Sequence, residues 1–384
     1  MDNNELEIEP NEIGLSNGSV LNLQLIKPEY FGELTPYLLD DNVTDIDWNG
    51  KVLWITDLNK GRYHSDLVLE PKFVSQFTQR MSNVVGVQFN QNNPILEAET
   101  DSLRISIIHE SKANTGRAIA IRKTPVIRRI DESAIEETGY VKDKEIMNLV
   151  INSVISNMNI VVCGKAGVGK TEFMKYLTKF IRPWERAITI EDNMELHYSS
   201  INPGKDCIEM RVDKSFTYRQ AIKASLRQNP EWILLSEARS DEVIDLLEAM
   251  STGHGVITSI HTDTVSNIPG RFASMAGTDE YAKKAEKDVY MYIDMGILVA
   301  RKIEAGKIKR YIKEVCYYYK DAQGNNKQYM AVFNGELIGT DIPIEEKRKY
   351  TQDNPFEEPE ELGGNYNMFI EDTEEKVGED TDED

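Results

Sequence analysis

Cysteine is scarce in this chain. Three residues, Cys163, Cys207 and Cys316, lie far apart in 384 positions, which excludes a disulfide scaffold and a four-cysteine zinc site and fits a reducing cytosol. Long apolar runs are also missing. None approaches the roughly 18 residues needed to span a bilayer, and the opening MDNNELEIEPNE has neither the basic region nor the apolar core of a secretion signal. Excess positive charge is missing as well. The net charge is −21, so the chain lacks the basic footprint of a protein that coats DNA or RNA.

The negative charge sits at the ends. Residues 341–384 hold 17 acidic and 4 basic side chains, and residues 1–14 hold 5 acidic and none basic. The body between is nearly neutral. Composition and period divide the chain into an acidic extension (1–19), a small α+β domain (20–125), a polar linker (126–142), a larger α/β domain (143–340) and an acidic tail (341–384). The tail is too poor in apolar residues to offset the entropy of ordering and is expected to be disordered; MFI at 368–370 is its one short apolar anchor.

In the first domain, VTDIDWNG and KVLWITDL are β-rich runs around an Asn49-Gly50 turn signal. PKFVSQFTQRMSNVVG has Phe73, Phe77, Met81, Val84 and Val85 at helical spacing, and RISIIHES and RAIAIRKT alternate as strands do. In the second domain, short apolar strands (NIVVC, RAITI, CIEMRV, WILLS, GVITSI) alternate with amphipathic helices. That rhythm predicts a parallel sheet covered on both faces, with ligands bound beyond the carboxyl ends of its strands.

One such end carries a phosphate motif. Gly164-Lys165-Ala166-Gly167-Val168-Gly169-Lys170-Thr171 matches G-x-x-x-x-G-K-[ST] in full, after a strand and before a helix. Glycines let backbone N–H groups close around phosphate oxygens, and the following helix adds the positive end of its dipole. Lys170 would reach the β- and γ-phosphates and Thr171 would ligate Mg²⁺. Two other strands run into acids, RAITI into Glu191-Asp192 and WILLS into Glu237. On the same sheet edge these acids could hold the metal or orient water. GVITSI runs into His261, a candidate γ-phosphate contact, with His254 seven residues earlier. Arg239 is a candidate for a phosphate or interprotomer contact.

Taken together, GKAGVGKT, ITIEDNMEL, LRQNPEWILLSEAR and MSTGHGVITSIHTDT resemble the four boxes of the secretion-ATPase superfamily: Walker A, Asp box, Walker B and His box. That superfamily includes motors of type II and type IV secretion and of pili. The resemblance covers residues 30–335. Its N-terminal part is most like the tight-adherence pilus and type IV secretion branch, whereas the His-box spacing is that of pilus motors. It implies a RecA-like P-loop domain with a parallel sheet, preceded by a smaller α+β domain. It further implies ATP and Mg²⁺, Thr171 and Glu237 toward the metal, Glu191 as the acid that activates water, Glu237 as the Walker B acid and His261 as the His-box residue. Arg104 and Arg122 stand where the family's N-terminal domain sends arginines to the phosphates.

A homohexamer in the cytoplasm is implied, held at the inner face of the membrane by a platform protein and coupling hydrolysis to pilus assembly or export, without direct nucleic-acid binding. A conjugative DNA-transfer ATPase, a RecA-like nucleic-acid translocase and a nucleotide-holding scaffold without turnover remain alternatives. An ABC-type transporter ATPase is disfavoured, because L-S-G-G-Q is absent. The chain departs from the family pattern in Ser236 and Ser240, which flank the Walker B box in place of glycines, and in Glu172, which replaces a second threonine.

Overall fold

The computed structural model describes residues 12–14, 20–22, 30–100, 102–132, 135 and 139–359. The chain divides into two compact units. The first takes residues 1–126 and 302–309, the second 127–301 and 310–384.

In the first unit, β1 (Glu12–Gly14) and β2 (Val20–Asn22) form an antiparallel pair. Six further strands, β3 (Val43–Trp48), β4 (Leu53–Asp57), β5 (Gly61–His64), β6 (Ile95–Glu99), β7 (Leu103–Ile108) and β8 (Ala118–Lys123), form an antiparallel sheet in the order β5-β4-β3-β8-β7-β6. The predicted turn joins β3 to β4. Asn49 Oδ1 accepts the N–H groups of Lys51 and Val52 at 3.0 and 2.9 Å. Gly50 has φ +94°, and a Cβ there would lie 2.6 Å from the Thr115 carbonyl oxygen. The predicted helix spans Pro71–Val85 and ends at Gly86 in the left-handed conformation. Phe77 and Met81 pack against Ile46, Ile55, Ile105 and Ile121 of the sheet.

The second unit is built on a nine-stranded sheet. Its strands are β9 (Ile160–Cys163), β10 (Ala187–Glu191), β11 (Cys207–Arg211), β12 (Trp232–Leu235), β13 (Gly255–Ile260), β14 (Met295–Glu304), β15 (Lys307–Lys320), β16 (Asn326–Phe333) and β17 (Glu336–Leu337), in the order β11-β10-β12-β13-β9-β14-β15-β16-β17. The strands from β11 to β14 run parallel. Successive residues alternate between two cores: Ile160 and Val162 enter one, Val161 and Cys163 the other, and Trp232 and Leu234 alternate likewise with Ile233 and Leu235. This is the unbroken apolar strand of a sheet covered on both faces. The antiparallel extension β15–β17 lies beyond β13, where the alternation of short apolar strands and helices read from the sequence ends. Among the described residues no helix is long and apolar enough to cross a membrane.

The expectation of a disordered tail from 341 is corrected for its first part. Ile342, Tyr350 and Phe356 are buried in the core of the second unit. Helix Lys144–Ile155 grips the backbone beyond them: Asn148 Nδ2 donates to the Phe356 carbonyl at 3.0 Å, and Asn152 Nδ2 to those of Pro355 and Glu357 at 2.9 and 3.0 Å. Tyr350 Oη is hydrogen-bonded to Ser153 and Tyr317, and Lys349 pairs with Asp294 and Glu346. Apolar content is low here because three buried side chains and donors from a distant helix do the anchoring. The MFI anchor lies outside the described residues. So does most of the acidic extension 1–19, of which only β1 is described. The linker reading of 126–142 gives way at Arg128, which donates to the Lys175 and Ile201 carbonyls and to Asn202 Oδ1.

Candidate active site

Parallel pairing brings four strand ends to one edge. The register sets Ile260 of β13 beside Cys163 of β9, Thr258 of β13 beside Leu235 of β12, and Leu235 beside Ile190 of β10. Gly164 and His261 therefore leave the sheet level with each other, and Glu191 and Ser236 leave it together two residues short of them, all at the same edge.

The phosphate loop runs from β9 into the helix Lys170–Leu177. Val168 pins its middle into the core, whereas Lys165, Ala166 and Gly167 are exposed. At Gly164 (φ +148°) a Cβ would come within 2.5 Å of the Val299 carbonyl oxygen. Gly169 (φ +97°) is the left-handed N-cap of the helix, so that helix begins with bare backbone N–H groups facing the loop.

Lys170 is buried. Its Nζ lies 3.3 Å from the Gly164 carbonyl oxygen and 3.1 Å from His261 Nδ1. Burial lowers its pKa, and Glu237 is the main charge opposing that shift. His261 Nε2 is 2.8 Å from Glu237 Oε1, and its Nδ1 also lies 3.2 Å from the Gly164 carbonyl. The Glu237 carboxylate accepts, so Nε2 carries the proton offered to it, while Nδ1 stands between a donor, the Lys170 ammonium, and an acceptor, the Gly164 carbonyl. Glu237 Oε2 accepts from Arg239 Nη2 at 2.9 Å, and Arg239 Nη1 donates to Asp192 Oδ2 at 2.7 Å. Burial acts to lower the Arg239 pKa, but Glu237 and Asp192 more than offset it and hold the guanidinium charged. One chain of contacts thus runs Lys170–His261–Glu237–Arg239–Asp192 and joins all four boxes of the sequence.

The serines flanking Glu237 have defined contacts. The Ser236 carbonyl accepts from Ser259 Oγ at 2.7 Å. The Glu242 carboxylate accepts the N–H groups of Arg239 and Ser240 and, at 2.5 Å, the Ser240 hydroxyl. A carboxylate with three donors fixes this turn without glycine.

Glu191 differs from its expected role. It is fully buried, and its Oε2 accepts the N–H groups of Glu195 and Leu196 at 3.0 and 3.1 Å. Burial pushes its pKa up to about 8 against the lowering effect of those two donors. Instead, Glu195 comes forward: its Oε2 accepts the Thr171 hydroxyl at 3.2 Å. Glu195 is the third acid of ITIEDNMEL, and because it does not end a strand, the strand-end signal that marks Glu191 and Asp192 does not reach it. Thr171 is therefore bonded to Glu195, while the oxygens of Glu237, the expected metal acid, are engaged by His261 and Arg239.

Glu172 pairs with Lys175 at 3.4 Å. His254 belongs elsewhere. It precedes β13, hydrogen-bonded to Thr252 at 2.7 Å, and six strand residues put it about 20 Å from His261. Gly255, beside it, is required by packing, since a Cβ there would meet the Trp232 ring at 2.8 Å. In the first unit, Arg104 and Arg122 face each other across β7 and β8 and pair with Glu99 (3.9 Å) and Asp45 (2.9 Å). The donor set at Thr171, a hydroxyl with a carboxylate beside it, fits a hard cation such as Mg²⁺. Among the described residues no three His, Cys, Asp or Glu side chains are placed to hold a metal by themselves.

Comparison with known proteins gives the chain a family. The sequence model of the type II/IV secretion system protein family matches residues 62–328. An uncharacterized protein of Bacillus anthracis is 29% identical over 264 residues, covering 68% of this chain and 59% of that protein. The chain thus spans less than two thirds of that relative's length. The type IV secretion system protein VirB11 of Brucella suis is 25% identical over 355 residues, covering 83% of this chain and 95% of that protein. The solved structure of the ATPase DotB of Legionella pneumophila aligns with a TM-score of 0.55 at 16% identity, over 76% of this chain and 81% of that one, a likeness of fold. The family match runs through all four boxes that meet at the sheet edge, and the chain belongs to the type II/IV secretion system protein family.

Proposed function

We propose that this protein is an ATP-hydrolysing motor of a type IV secretion or related pilus system. In this reading it acts as a homohexamer recruited to the inner face of the membrane by a platform protein. The observation that carries the chemistry is the contact chain from Lys170 through His261 to Glu237 at the mouth of the phosphate loop. The amides of 164–171 would wrap the β- and γ-phosphates, and Lys170 would turn its ammonium from His261 to their oxygens. Mg²⁺, held at the Thr171 hydroxyl, would neutralise charge on those phosphates. His261 keeps one proton on Nε2 and fixes Glu237 by it, so that a carboxylate stands ready to accept a proton from attacking water. Arg239 holds the other oxygen of Glu237. Water attacks the γ-phosphorus, ADP departs, and the proton passes to the carboxylate. Arg104 and Arg122 would supply further positive charge to the phosphates, exchanging Glu99 and Asp45 for them. Names borne by relatives, among them type IV secretion system protein VirB11, support the export role.

The test is steady-state hydrolysis by the purified chain and its Glu237→Gln variant, with mass in solution measured with and without nucleotide. Loss of turnover by roughly 10²-fold or more, with a mass near six chains on adding ATP, is the expected result. Tight nucleotide binding without turnover dependent on Glu237, with lipid and platform protein supplied, would reduce the chain to a nucleotide-gated scaffold.

A further inference from the structure

We propose that Glu195 is the acid by which the loop after β10 engages the metal–phosphate site, and that Glu191 is the residue that positions it. The inference rests on the Mg²⁺–nucleotide reading above and assigns the roles of two acids within it. Three observations carry it. First, Glu191 has no free face. Its side chain is fully buried, and its carboxylate is turned back onto the amides of Glu195 and Leu196. These bonds close residues 191–196 into a tight turn, which carries Glu195 back toward the phosphate loop. Second, Glu195 Oε2 accepts the Thr171 hydroxyl at 3.2 Å. A hydroxyl that gives a lone pair to a cation still has its proton to donate, and the carboxylate taking that proton fixes the hydroxyl's direction. Glu195 is thus one atom removed from the expected metal position, close enough that its charge also acts on Lys170. Third, Glu237 is already committed through both oxygens to His261 and Arg239. The acids divide the site: Glu237 stands on the side of His261 and Glu195 on the side of Thr171.

The test compares ADP affinity with Mg²⁺ and in excess chelator for the full chain, Glu195→Gln, Glu195→Asp and Glu191→Gln, with urea midpoints measured alongside. ADP removes turnover from the readout. For Glu195→Gln, affinity in chelator should hold or rise, since a negative charge leaves the phosphates, while the gain on adding Mg²⁺ should shrink by about tenfold or more. Glu195→Asp keeps the charge but shortens the reach, and should fall between. Glu191→Gln can keep both N–H bonds on its amide oxygen but buries an NH2 donor where Oε1 stood, so it should lower the urea midpoint and weaken ADP binding with and without metal alike. A full Mg²⁺-dependent gain in Glu195→Gln would overturn the assignment. So would a stable Glu191→Gln chain that lost only the Mg²⁺ gain, because Glu191 would then face the metal. If the unaltered chain bound no ADP in either condition, the nucleotide reading itself would fail, and this inference with it.

Discussion

The three glycines of the phosphate loop offer a graded test, because the structure assigns each a different reason for lacking a side chain. At Gly167 (φ +73°) an added Cβ meets nothing within 4 Å. Gly167→Ala therefore bears only the left-handed backbone cost, about 1–2 kcal/mol, partly offset by a less disordered unfolded chain. At Gly169 (φ +97°) the added carbon lies 3.4 Å from Arg310 Cδ, a flexible neighbour, so the same cost applies with little added. At Gly164 the carbon would stand 2.5 Å from the Val299 carbonyl oxygen and 2.9 Å from Val168 Cγ2. Val299 belongs to β14, which is paired to β9, so relief requires one strand of the central sheet to move. Overpacking costs roughly 1–3 kcal/mol and the backbone strain a similar amount; together about 4 kcal/mol is expected. Urea unfolding should rank Gly164→Ala far below the other two, and its ADP affinity should fall more than tenfold as the first loop amides are displaced. If Gly164→Ala were as stable as Gly167→Ala, the close approach of β14 to the loop would be wrong.

Two further perturbations probe what surrounds the loop. Glu242→Ala removes the acceptor of two N–H groups and one hydroxyl in the Ser236–Ser240 turn. It should cost about 1–3 kcal/mol and lower hydrolysis more than ADP affinity, measured side by side. Asn152→Ala removes both bonds to the 355–357 backbone, and Phe356→Ala empties the socket beside it. The first should cost about 1–3 kcal/mol and the second about 3–5 kcal/mol. Because both act through one segment, the double variant should cost at least 1 kcal/mol less than their sum. Strict additivity in urea midpoints would mean that residues 342–359 do not anchor as a unit.

Much of the fold was legible because its signals are local. Asn49-Gly50 fixes a turn through its own side chain and its neighbours' amides, and Phe77 and Met81 lie on the core face of their helix. NIVVC, RAITI, WILLS and GVITSI are short and apolar throughout, as strands buried on both faces must be, and a parallel sheet then brings their ends together. Residues 342–359 were not legible. Their order depends on amide groups of Asn148 and Asn152 some 200 positions earlier in the chain, and no window of composition contains both partners.

The acids show a finer limit. A strand end places a carboxylate at the correct edge of the sheet, but it does not say which way the carboxylate turns. Glu191 is the last residue of β10, and the chain bends back immediately after it. The nearest donors to its oxygens are therefore the amides of that bend, and it folds inward. Glu195, four residues on, lies on the returning limb and reaches Thr171. At Glu237 the opposite holds: the amides of its turn are bound by Glu242, which leaves the Glu237 oxygens free to take His261 and Arg239. In both cases one acid is taken up by the turn's amides, and the other is left for the proposed nucleotide site. Sequence alone shows two acids in each pair, and only the course of the backbone distinguishes the one that shapes the turn from the one that, in the proposed reading, faces the phosphates.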